Sequence, residues 1–175
     1  MDTPSADQVL RDFLAATSAG KQQPTRARYR RIDIQLRRFL ETTGPQFLEP
    51  EQERLLAMER DVEPYAAFCR LFYPEDIVFA LPSFLRPPWL MTQDADRRTQ
   101  IVQVARLVRW MCAHGLVDRK WHYWAVIETR IAVEKARQGY GWDPPWPRST
   151  ELLESPQPLD RREPLDRREQ PNGPG

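Results

Sequence analysis

Lysine is almost missing from this chain. Of its 26 basic residues only Lys21, Lys120 and Lys135 are lysines, and the other 23 are arginines. Cysteine is scarce too. Cys69 and Cys112 are too few for a disulfide framework or a four-thiolate zinc site, so reduced thiols and a cytoplasmic location are expected. Seven glycines stand against 17 prolines, and turns must be made mostly by proline. There is no Gly-rich phosphate loop, no Gly-x-Gly-x-x-Gly and no Gly-x-Ser-x-Gly elbow. No run approaches the ~20 apolar residues that a membrane-spanning helix needs. The first residues lack the basic-then-apolar order of a signal peptide. Hydrophobic residues at 41% and charged residues at 29% exclude a collagen-like or a strongly charged disordered chain.

What remains, at 175 residues, is one domain with a tail. From Gly139 the sequence Gly-Tyr-Gly-Trp-Asp-Pro-Pro-Trp-Pro breaks any helix. Beyond it a Pro-Leu-Asp-Arg-Arg-Glu unit occurs twice, at Pro158–Glu163 and Pro164–Glu169. Such a segment buries too little apolar surface to offset its conformational entropy. The expected organisation is a folded domain over 1–147 and a disordered Pro/Arg/Glu-rich tail over 148–175.

The body reads as all-α, a compact bundle of four to five main helices. Residues 7–17 place Val9, Leu10, Phe13 and Leu14 on one stripe, with Ser5 or Asp7 as cap. A helix over 25–43 presents Tyr29, Ile32, Leu36, Phe39 and Leu40. The pattern over 50–72 supplies Leu55, Leu56, Met58, Val62, Tyr65, Phe68, Cys69 and Phe72, and Pro64 splits it in two. The apolar stretch 77–91 has no partner strand and predicts a short helix or a packed loop. A helix from Gln93 or Asp94 to His114 buries Ile101, Val104, Val108 and Met111, with Gly115 just past its end. A last helix over 118–138 carries Trp124, Ile127 and Ile131 at helical spacing, with Trp121, Val126 and Val133 nearby.

The net charge of +1 is a sum of opposed blocks. Residues 20–48 hold Lys21 and six arginines against Asp33 and Glu41, a net of +5. Residues 49–76 hold eight acids against three arginines, a net of −5. The basic helix either offers its charge to phosphates or pairs internally with the acidic one. Arginine abundance is itself explained by high-G+C codon usage or by selection for phosphate and base contacts.

No constellation of catalytic residues emerges, and no enzyme, metal site or cofactor is expected. His114 and His122 are separated by Gly115. Cys112 and His114, two apart on a helix, face different ways. The acidic pairs Glu49/Glu53 and Glu59/Glu63 lack the histidines of a di-metal site. The cluster Trp121, Tyr123, Trp124 reads first as cover for the end of the core, and second as a platform for stacked bases.

Two segments together point to a family. The first is Val9-Leu-Arg-Asp-Phe-Leu followed by Pro24-Thr25-Arg-Ala-Arg-Tyr29 and Leu36-Arg-Arg-Phe39-Leu40. The second is Arg97-Arg98 followed by Leu107-Val-Arg-Trp110-Met-Cys-Ala-His-Gly115-Leu116-Val117. They resemble the N-terminal core-binding domain of tyrosine recombinases, the phage-integrase family with a SAM-like helical fold. The match covers about half of the first 120 residues. No His-x-x-Arg follows it, so the family's catalytic half has no counterpart. The stretch 45–91 is longer and more acidic than the family's usual link, and a further helix follows Leu116. The resemblance implies a non-catalytic DNA-binding bundle, connected with a mobile element. Double-stranded DNA is the implied ligand, and a recombinase or another protein the implied partner. The expected contacts are Thr25, Arg26, Arg28, Arg30, Arg31, Arg37 and Arg38, with Arg97 and Arg98 as a second set. Thr25, Arg26 and Arg28 are placed to reach a groove edge. The alternative is a helical protein-interaction module, which an exposed patch around Phe79, Phe84, Leu85 and Trp89 would favour.

Overall fold

Proline opens three of the helices. Pro24, Pro50 and Pro74 each stand in a first turn, where a missing N–H leaves no bond unmade. The computed structural model describes residues 3–139. The chain divides into two units, Met1–Trp142 and Asp143–Gly175. The second unit, and with it the expected disordered tail and its repeat, lies outside the described residues.

Among the described residues the structure is all-helical. Its helices are α1 (Ala6–Ser18), α2 (Gln23–Thr42), α3 (Pro50–Val62), α4 (Ala67–Leu71), α5 (Pro74–Phe84), α6 (Asp94–Ala113) and α7 (Tyr123–Arg137). A 3-10 turn, Gly44–Phe47, links α2 to α3. The expected all-α bundle forms: α1, α2, α3, α6 and α7, each of 13 residues or more, are its main helices, and α4 and α5 are shorter. The 50–72 pattern splits near Pro64, as the sequence predicts, and the apolar 77–91 stretch begins inside α5.

Helix ends follow local chemistry. Ser5 Oγ accepts from Gln8 N–H at 3.3 Å and caps α1. Gln52 and Asp76, three residues into α3 and α5, reach back to the Glu49 and Tyr73 N–H groups at 3.0 Å. Gly115 takes φ 66° after α6, and Leu116 N–H closes on Met111 C=O at 2.9 Å. Asp118 Oδ1 accepts from Lys120 N–H at 2.7 Å. That turn delays α7 to Tyr123, five residues beyond its expected start.

The central element is α5. Ile77, Val78, Ala80, Leu81, Pro82 and Phe84 are all buried, as befits a helix apolar on most sides. It packs against α1, α2, α6 and α7. Around it lie Val9, Leu10 and Phe13 of α1, Leu36, Phe39 and Leu40 of α2, and Ile101, Val104, Leu107 and Met111 of α6. Phe39 meets Phe84 and Trp89 with ring centroids 5.3 Å from each. Phe84 and Leu85 are therefore core residues, and the exposed patch considered around them does not form. Phe79 alone of that group is substantially exposed.

Two polar side chains organise this core differently. Gln100 is fully buried. Its amide donates to Phe84 C=O and Trp89 C=O at 3.1 Å and accepts from Met91 N–H at 2.9 Å. One side chain thus satisfies three backbone groups of the loop between α5 and α6. Gln103 is also buried, yet neither end of its amide has a partner among the described residues. It lines a small cavity with Leu10, Phe13, Ile32 and Leu36.

Three sets of expected core residues are corrected. Leu55, Met58, Val62 and Tyr65 are exposed, and α3 buries only Leu56. On α7, Trp124 and Ile131 face outward, and the buried side consists of Ala125, Val126, Thr129, Ala132, Val133 and Ala136. Small residues let α7 approach α5 and α6 closely, which large ones would prevent. Trp121 is likewise exposed, so the aromatic cluster does not cover the core among the described residues.

The unpaired Gln103 amide predicts a gain on replacement. Gln103→Met keeps the volume and removes two unsatisfied polar atoms, so it raises unfolding free energy by about 1–2 kcal/mol in urea denaturation. An unchanged or lower midpoint contradicts this account of the site.

Candidate nucleic-acid interface

Helix α2 carries six arginines in 20 residues, and its neighbours sort them into two kinds. Tyr29, Ile32, Leu36, Phe39 and Leu40 face the core. Arginines on the flanks of that stripe come within reach of α1 and α6. Those opposite it reach only solvent.

On one flank stands Asp96, in the first turn of α6. It is largely buried and accepts from both Arg28 and Arg31. Arg28 Nε lies 3.1 Å from its Oδ1. Arg31 contributes Nη2 at 2.8 Å and Nε at 3.3 Å. The hydrogen bond from Arg31 outweighs the burial and holds the Asp96 carboxyl below its ordinary range. On the other flank Arg37 donates to Asp33 at 3.0 Å and to Asp7 of α1 at 2.6 Å. Burial raises the Asp33 pKa against the pull of Arg37.

The expected contact set is therefore divided. Arg28, Arg31 and Arg37 hold α6 and α1 to α2, although Arg31 keeps half its side chain exposed. Arg37 is not on the face opposite the core, and this overturns its placement in the cationic surface. Arg97 pairs locally with Asp94. Thr25 is half-buried in the first turn of α2. Arg26, Arg30, Arg38 and Arg98 are exposed and carry no ion pair among the described residues. Arg30 and Arg38 stand one turn either side of the exposed Ile34. The outer face of α6 adds Arg106 and Arg109, Arg106 donating to Tyr29 Oη at 3.2 Å. Arg109 also lines a groove between α6 and α7 with Arg130 and Arg137.

The acidic block does not neutralise this surface. Glu59 and Glu63 pair with Arg70, at 2.8 and 3.4 Å. Across the α2–α3 junction the polarity is reversed, because the acid belongs to α2 and the base to α3. Glu41 accepts from Phe68 N–H and Cys69 N–H at 3.2 and 3.3 Å, capping α4. Arg60 of α3 bonds the Glu41 carbonyl. No acid of α3 pairs with an arginine of α2 among the described residues.

No group of three or more His, Cys, Asp or Glu could hold a metal ion among the described residues. Burial pushes the Cys69 thiol up to about 12, which leaves it protonated at neutral pH and a poor nucleophile. His114 stacks on Trp110 at 4.2 Å, with Nδ1 2.8 Å from the Trp110 carbonyl. No described helix is long and apolar enough to cross a membrane. No protein-family model, curated protein or solved structure matches the chain.

Sequence reading overlooked the three counter-ions. Asp7 and Asp96 lie far from α2 in sequence, and only the docking of α1 and α6 brings them to it. Asp33, four residues before Arg37, was the one visible signal.

The clamp on Asp96 has a pH signature. A carboxyl with depressed pKa contributes stability above its unfolded value, ordinarily 3.8, and loses it as pH falls through the folded value. Asp96→Asn therefore lowers stability at pH 7 by about 1–3 kcal/mol, and the gap to wild type closes in acid. Thermal melts followed by circular dichroism at both pH values measure this. Equal stability at pH 7 contradicts the clamp.

Proposed function

We propose that this bundle is a non-catalytic domain that binds double-stranded DNA through the outward ridge of α2. The observation that carries the reading is the sorting of the α2 arginines. Arg26, Arg30 and Arg38 face solvent without counter-ions among the described residues, and no acid of α3 pairs with them: Glu59 is engaged with Arg70, and Glu51, Glu53 and Asp61 make no ion pair with α2. Unpaired guanidinium groups along one helix exchange the condensed counterions of a duplex for protein charge, and this drives association. Arg98 and Arg106 extend the basic surface onto α6.

The resemblance to recombinase core-binding domains supports the same reading. Its two signature segments fall on α1 with α2 and on α6, and these helices pack on one another. Arg28, one of the residues placed to read a groove edge, is committed to Asp96. Thr25 and Arg26 remain for that task, Arg30 lies one turn beyond Arg26 on the exposed side, and Arg can bind guanine bidentately. The domain supplies binding without strand cleavage. A recombinase acting at the same DNA is the kind of partner this role calls for, and the cytoplasm is its setting.

Mobility shifts on a duplex across a salt series test the proposal. Wild-type affinity falls steeply with salt. Replacing Arg26, Arg30 and Arg38 together by alanine weakens binding at least tenfold and flattens the log–log slope by about 2–3. Arg37→Ala lowers the melting temperature and leaves the slope of the folded protein unchanged. Binding that survives the triple replacement, or wild type that shows no salt-dependent shift, overturns the ridge.

A further inference from the structure

Two helices present large apolar side chains to solvent at one and the same spacing. On α3 they are Leu55, Met58 and Val62. On α7 they are Trp124 and Ile131, with the half-buried Ile127 between them. Both sets follow the i, i+3, i+7 pattern of a stripe that packs on another helix. Met58 is 66% exposed, Val62 84% and Trp124 76%. The α7 stripe continues at its N-terminal end into Trp121 and into Phe79 of α5, whose ring lies 6.0 Å from that of His122. Neither stripe serves the bundle. α3 is held by Leu56, and α7 packs through its small residues. Since Leu55, Met58 and Val62 on one side and Trp124 and Ile131 on the other are exposed, the stripes do not cover each other within one chain.

The unpaired charge around them is mostly of opposite sign: α3 also carries the exposed Arg54, and on α7 Glu134 is paired with Arg137 while Glu128 lies near Arg86. Glu51, Glu53 and Asp61 of α3 have no ion pair among the described residues. Neither do Arg119, Lys120 and Arg130 beside and on α7. An acidic amphipathic helix is the complement of a basic one, and this chain supplies both at equal concentration.

We propose that the protein self-associates head to tail, with α3 of one copy seated on the α7 stripe of the next. Trp124 and Trp121 form the anchor, as buried tryptophans do in protein interfaces. The acids of α3 meet the bases around α7 and set the orientation. Because the two faces differ, each contact leaves one free face at either end, and the assembly grows as a chain or closes as a ring. The ridge of α2 takes no part, so the inference is independent of DNA binding.

Mixing complementary variants of the full chain tests this. Wild type shows a weight-average mass above the 20.6 kDa monomer that rises with concentration and falls with salt in sedimentation velocity. Leu55→Glu with Met58→Glu blocks the α3 face, and Trp124→Glu with Ile131→Glu blocks the α7 face. Each variant alone is a monomer. Their equimolar mixture forms a dimer of one copy each, because one intact face of each kind remains. Circular dichroism checks that both are folded. Should an apolar pair fail to fold, Glu51→Lys with Asp61→Lys, or Arg119→Glu with Arg130→Glu, replaces it in the same design. A wild type that is monomeric at every concentration overturns the proposal. So does a mixture that stays monomeric, or one blocked variant that still dimerises alone, since that places like faces in contact.

Discussion

The Asp96 carboxylate, largely buried between Arg28 and Arg31, fixes the start of α6 on the first half of α2. Its counterpart on the other flank is Arg37, which bridges Asp33 to Asp7 of α1. A helix as basic as α2 would otherwise repel anything laid beside it. Three aspartates relieve that charge where the neighbouring helices touch and nowhere else. Breaking either set leaves charge uncompensated at a helix junction, which costs more than a surface pair contributes. Arginine suits this work better than lysine, because a planar guanidinium can hold one carboxylate with two nitrogens or bridge two acids. The near absence of lysine thus has a structural use, whatever its genomic origin.

The same sorting yields the outer face. Once the flanks are committed, Arg26, Arg30 and Arg38 are left on the side facing solvent. The −5 block of residues 49–76 balances the chain's total charge without lying on this ridge. Glu59 and Glu63 are tied to Arg70, and the join to α2 runs through Glu41 and Arg60 in the opposite sense. A neutral sum over the sequence therefore coexists with a polarised surface. Around the largely buried α5, the bundle closes with small residues on α7, and that choice turns Trp124 and Ile131 outward.

Most of the fold was legible because its helices carry period and punctuation together. α1, α2 and α6 have clear apolar stripes, a serine cap, an opening proline and a closing glycine, and their limits fall within about two residues of expectation. α3 and α7 misled for one reason. Each has two apolar faces, and periodicity marks a stripe without saying which one the core takes. On α7 the alanines and valines win because α5 lies close, a fact of tertiary packing. Of the candidate site, the basic helix was legible and its division was not. Arg28, Arg31 and Arg37 differ from Arg26, Arg30 and Arg38 only by facing aspartates on other helices.

That division is the central claim, and arginine side-chain NMR reads it residue by residue. In a titration with a short duplex, the Nε–Hε resonances of Arg26, Arg30 and Arg38 shift progressively and the shifts reverse on adding salt. Those of Arg28 and Arg37 stay where their aspartates hold them. Shifts of Arg28 and Arg37 equal to those of the ridge, or a ridge that ignores the duplex, would contradict the account.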